Sequence, residues 1–115
     1  MSFEERYAHE ASFAPSPETL AAQRVLALID FNRLPEARTE IHRTLATYPE
    51  DPELLSIAAW IEHFSGSAAT ARDLAQATLA ARPSDWRALM VLIELSVRDQ
   101  KFDEAIRLSA TMLDR

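Results

Sequence analysis

The chain has 115 residues, a formal net charge of −6 and a hydrophobic fraction of 48%, enough for one domain with a core and too apolar for wholesale disorder. Its 18 Asp and Glu against 12 Lys and Arg argue against phosphate-backbone binding as the main role, and the lack of cysteine excludes disulfides and thiolate metal sites. One glycine in the whole chain, beside abundant Ala, Leu, Arg and Glu, favours packed helices over strands and hairpins.

Residues 1–15 read as an N-terminal extension to a domain at 16–115. The start, MSFEERYAHE, lacks the apolar run of a secretory signal, and no stretch approaches the roughly 18 apolar residues of a membrane span. A cytoplasmic protein without membrane contact is therefore expected. Phe3, Tyr7 and Ala11, spaced four apart, would share a helical face. That segment would then pack on the first helices around Arg24 or occupy a groove, unless it stays unpacked as termini do by default.

Ser16 can cap a first helix with Pro17 in its opening turn, running to about Phe31, where Asn32 suits a left-handed stop. Pro35 opens a second helix, where its missing N–H costs nothing; that helix runs to about Tyr48, and Pro49 lies just past it. Asp51 caps and Pro52 opens a third helix to about Phe64. Gly66 ends it, and Ser67 caps a fourth to about Ala81. Ser84 is the expected cap of a fifth helix to about Arg98, followed by a sixth from Phe102.

The prolines thus mark helix boundaries, and they recur. Pro49 and Pro83 lie 34 residues apart, and the same offset relates Ala37, Ala71 and Ala105, Leu45, Leu79 and Leu113, and Asn32, Gly66 and Gln100. A fixed period of this length is the signature of stacked repeats. Three gapless copies divide the domain into units at 18–51, 52–85 and 86–115.

The segments NRLPEARTEIHRTLATYP, GSAATARDLAQATLAARP and QKFDEAIRLSATML resemble the tetratricopeptide repeat. That resemblance implies an all-α fold, a right-handed α-solenoid of three helix–turn–helix repeats. It also implies that Ala37, Ala71 and Ala105 are the small residues where the two helices of a unit touch. The match departs from the family in the first helices, where Arg24 and Glu62 stand at apolar positions and Val25 and Ile93 replace small ones. Pentatricopeptide arrays have a nearly equal period but are basic and bind RNA; this chain is acidic.

In the family the first helix of each unit lines a concave groove that binds peptides. Carried over by register, that face offers Thr19, Ala22, Leu26, Ile29 and Asp30, then Glu53, Ser56, Trp60, His63 and Phe64, then Arg87, Met90, Glu94, Val97 and Arg98. Aromatics flanked by a few charges suit a partner segment with bulky apolar anchors, and Arg87 and Arg98 could pair with its carboxylates. The alternative for Trp60 is packing between units. Repeats that clamp the C-terminal carboxylate of heat-shock chaperones use lysine, asparagine and arginine here. Ala22, Leu26, Ile57, Arg87 and Val91 stand at those places, so such a clamp is not expected.

The histidines, His9, His42 and His63, are never three or four residues apart, so no helix face presents a paired metal site. No glycine-rich phosphate loop exists. Neither catalysis nor a cofactor is expected. The last helix carries Phe102, Ile106, Leu108, Met112 and Leu113, more apolar groups than two preceding helices can bury, so an exposed strip should remain. A continuing chain or a second copy would cover it, which makes a homodimer through this helix one expectation. The reading for function is a non-catalytic scaffold or adaptor binding a protein segment. Its alternatives are a docking portion of a larger glycosyl- or sulfotransferase-like enzyme, or a small chaperone for a secreted protein.

Overall fold

The computed structural model describes residues 14–114; the stripe of Phe3, Tyr7 and Ala11 lies outside them. Within that span are six α-helices and no strand: α1 Pro17–Asp30, α2 Leu34–Thr47, α3 Pro52–Ser65, α4 Ala68–Ala81, α5 Trp86–Arg98 and α6 Phe102–Leu113. None of them is long and apolar enough to cross a membrane.

Four helix starts are fixed by a side chain that accepts an otherwise unpaired backbone N–H. Ser16 Oγ accepts from Thr19 at 3.1 Å, Asp51 Oδ2 from Leu54 at 3.0 Å and Ser67 Oγ from Thr70 at 3.3 Å. The fourth corrects the sequence reading. Asp85, not Ser84, caps α5, its Oδ2 accepting from Ala88 N–H at 3.1 Å. Asp85 also accepts a bond from Ser56 Oγ at 2.7 Å, so a tie to α3 settles which of two adjacent capping residues is used. Caps of this kind contribute about 1 kcal/mol each.

The turns inside the helix pairs are of two sorts. Asn32 and Gln100 take φ of 60° and 62°, and the next residue's N–H returns to Leu28 O and Ser96 O, both at 2.8 Å. That is the left-handed stop expected at Asn32, and Gln100, its equivalent in register, takes the same conformation. Gly66 also ends its helix, but with a negative φ (φ −133°, ψ −134°). Its glycine character answers a different need: a Cβ there would lie 1.9 Å from Glu62 Oε2.

Each helix packs on the next in sequence, and α1 touches α3 and α3 touches α5, whereas α2, α4 and α6 do not touch one another. The odd-numbered helices therefore form one layer and the even-numbered helices a splayed outer one. Two apolar clusters fill the joints. Val25, Ile41, Leu54, Ile57 and Ile61 bind α1 and α2 to α3, and Ala59, Ala71, Ala75, Ala88, Val91 and Leu95 bind α3 and α4 to α5. Ala37 and Ala71 are fully buried and Ala105 nearly so, as close helix contact within each pair requires.

The two charged residues at apolar positions have opposite fates. Arg24 leaves its head in solvent and bonds Glu40 at 3.2 Å. Glu62 is 1% exposed, yet satisfied: it accepts from Arg38 at 2.8 and 3.4 Å and from Ser67 N–H at 3.4 Å, with His42 Nε2 at 2.8 Å. Burial pushes the Glu62 carboxyl up, but the bonds from Arg38, His42 and Ser67 outweigh it and hold the carboxyl below the usual range.

Candidate functional site

Trp60 lies in the third turn of α3, half-buried against the second apolar cluster. Phe64, one turn later, meets it edge-on with centroids 4.8 Å apart, and Trp86 at the start of α5 meets it at 5.5 Å with the planes tilted 60°. Trp60 does pack between helix pairs, and the outer two rings stay open: Phe64 is 55% exposed and Trp86 38%. The result is a continuous aromatic strip, Phe64–Trp60–Trp86, crossing from α3 to α5. His63 borders it, 4.9 Å from Phe64, and is bonded through Nε2 to Glu94 of α5.

At the other end of the strip the charges are tied to one another. Glu53 accepts from Arg82 at 2.8 Å and from Arg87 at 3.0 Å, and the Arg87 guanidinium lies 5.0 Å from the Trp86 ring. With its side chain only 13% exposed, Arg87 is engaged inside the protein. Ser56, fully buried, bridges Asp85 to the same arginine. Between α1 and α3 an open hollow of about 300 Å³ is walled by Ala22, Gln23, Leu26, Glu53 and Arg82.

The structure thus gathers Glu53, Trp60, His63, Phe64, Arg87 and Glu94 into one surface. Leu26 and Ile29 are half-buried and pack on the first apolar cluster. Asp30 and Arg98 are exposed at the last residues of α1 and α5, and Met90 is half-buried in the middle of α5. Sequence reasoning missed Trp86 and Arg82. With Ser84 as the cap, Trp86 sits in the helix's opening turn without a role; with Asp85 it is the first helical residue, beside Trp60. Arg82 lies just past α4 and belongs to no first-helix stripe. Among the described residues no three His, Asp or Glu side chains come together as a metal-ligating set. Neither family models, curated proteins nor solved structures match the chain, so the functional reading rests on its own residues.

Proposed function

We propose that the chain is a tetratricopeptide-like module, a right-handed solenoid of three repeats that binds a peptide or protein segment without catalysis, as a cytoplasmic scaffold or adaptor. The observation that carries the reading is the aromatic strip Phe64–Trp60–Trp86 on the odd-helix layer. A layer whose helices touch, backed by one whose helices do not, bends toward the touching side, and that side carries the rings. The strip offers rigid apolar surface at low entropy cost, the usual make-up of a binding hot spot. Its neighbouring polar groups, Glu53 with Arg82 and Arg87 and His63 with Glu94, are paired internally, so apolar anchors should dominate recognition.

A displayed random-peptide library selected against the protein tests this reading. Both tryptophans of the chain lie in the strip, so selectively excited tryptophan fluorescence reports on it. Selected peptides should carry one or two bulky apolar residues, perturb the tryptophan emission on binding, and lose at least about tenfold in affinity to Trp60→Ala, consistent with a hot-spot loss above 1 kcal/mol. Peptides that bind Trp60→Ala as tightly as the parent would sink the reading.

A further inference from the structure

Phe64 and Trp60 lie one turn apart on α3, so helical spacing alone brings their rings together. Trp86 comes from another helix. As the first residue of α5, it has to be placed by contacts that cross from α3. Two sets of contacts make that crossing. The backbone is fixed by Asp85, which caps α5 at Ala88 N–H and accepts from Ser56 Oγ at 2.7 Å. The indole meets Trp60 at 5.5 Å and the Arg87 guanidinium at 5.0 Å.

Consecutive residues of a helix point apart, so Arg87 reaches the Trp86 ring only because something draws it there. Arg87 Nη1 donates to Glu53 Oε1 at 3.0 Å and to Ser56 Oγ at 3.4 Å, both on α3. Glu53 is held in turn, because its other oxygen, Oε2, accepts from Arg82 at 2.8 Å. Glu53 and Arg87 are also equivalent in register, 34 residues apart, so the tie joins the opening turns of two successive odd-numbered helices. A guanidinium beside an indole is attracted to its π face, more strongly when little of it is exposed, as here.

We propose that Glu53 and Arg87 are positioning residues of the aromatic strip. Glu53 draws Arg87 to the Trp86 ring, and the arginine holds that ring beside Trp60 before any partner arrives. Arg87 thus acts through Trp86 and is not a charge offered to the partner. For the placement of Trp86 the proposal stands alone; for its effect on affinity it rests on the peptide-binding reading. A ring fixed in advance spares the partner the ordering of one side chain, about 2- to 10-fold in affinity.

The free protein carries the probe that tests this. Its two tryptophans meet with planes tilted 60°, close and skewed enough for their transitions to couple and give paired circular-dichroism bands of opposite sign. Trp60→Phe abolishes this couplet and so assigns it. Arg87→Met, which keeps the stem without charge or donors, should lose most of it, and Glu53→Gln part of it. Arg72→Met, which removes the ion pair with Asp99, should leave it whole, so general loosening is not what is read. Peptides selected on the parent should bind Arg87→Met and Glu53→Gln about 2- to 10-fold more weakly. The double variant should be no worse than Arg87→Met, since both changes act through one ring. A direct contact between Arg87 and a partner's carboxylate predicts the opposite sign for Glu53→Gln, which would free the arginine and tighten binding. Tighter binding to Glu53→Gln overturns the proposal, as does an unchanged couplet in Arg87→Met or a lost couplet with unchanged affinity. Peptides that bind Trp60→Ala as tightly as the parent sink the peptide-binding reading and with it the effect on affinity, whereas the couplet, which needs no peptide, still decides whether Arg87 places Trp86.

Discussion

The two joints of the array solve one packing problem with different materials. The first is bulky: Ile41, Leu54, Ile57 and Ile61 fill it, and a buried carboxylate, Glu62, is wired into its edge. The second is lined by alanines, Ala59, Ala71, Ala75 and Ala88, with Val91 and Leu95 supplying the bulk, and its ion pair, Arg72–Asp99, is about a third exposed on either side. Branched side chains hold helices apart and fill the space between them, whereas alanines let backbones close up, so the first joint is vulnerable to lost volume and the second to added volume. Ile57→Ala should cost about 2–5 kcal/mol, the range for a truncation that leaves a cavity. Ala75→Leu should cost about 1–3 kcal/mol by overpacking. Denaturant melts of both variants check this, and a small loss for Ile57→Ala would show that the first joint can collapse around the gap.

Gly66 belongs to the first joint although it lies in a turn. Its φ is negative, so a left-handed turn is not what the glycine supplies. The space a Cβ would fill is held by the Glu62 carboxylate, which Arg38 and His42 pin in place. Gly66→Ala should therefore destabilise the chain by about 1–3 kcal/mol, the range for forcing atoms into an occupied site. The same change should cost little in a Glu62→Ala background, and a double-mutant cycle measures the coupling. Additive losses would mean that the two residues act separately.

Much of this architecture is legible in the sequence because its signals are local. Ser16, Asp51 and Ser67 cap, Pro17, Pro35 and Pro52 open, and Asn32 and Gln100 stop, each by chemistry confined to a few neighbours. Spacing shows that Ala37, Ala71 and Ala105 recur, and the resemblance to the tetratricopeptide repeat implied that they lie at the close contacts. What was not legible depends on residues far apart in the chain. Glu62 reads as a flaw in a core stripe until Arg38, 24 residues earlier, is placed beside it. Asp85 outcompetes Ser84 as a cap because Ser56 of another helix binds it. The candidate site divides in the same way: the Trp60–Phe64 and His63 edge follows from helical spacing, whereas the contact of Trp86 with Trp60 and the capture of Arg87 by Glu53 need the relative placement of α3 and α5.

The carboxylate in the first joint should also make that joint the acid-sensitive one. The Glu62 carboxyl is held below its ordinary range in the fold, so the unfolded chain takes up its proton first as the pH drops. The stability it confers is then fully present above the unfolded value, about pH 4, and is lost as the pH falls through the lower folded value. Glu40 adds a contribution of the same sign, since its bond from Arg43 outweighs burial and, with Arg24, keeps it low. Thermal melts between pH 7 and pH 3 should show a fall in Tm for the parent and a shallower one for Glu62→Gln, with Glu40 supplying the remainder. Parallel curves for the two proteins would remove Glu62 as a source of the acid response.

The second joint should respond least. Arg72 and Asp99 meet at 2.6 Å, a good geometry, but both keep contact with water, which screens their attraction and lets either partner be solvated when the other is lost. Removing the pair exposes no buried charge, in contrast to the first joint. Asp99→Asn should therefore cost less than about 1 kcal/mol, and that cost should shrink further in molar salt. Asp99 lies just past α5, where its backbone N–H donates to Leu95 O at 3.0 Å, a bond that asparagine keeps, so the measured change is the ion pair less the relief of removing an anion from a helix C-terminus. A loss comparable to that of Gly66→Ala, and insensitive to salt, would mean that the second joint depends on its charges as the first does. The contrast between a wired joint and a merely packed one would then fail.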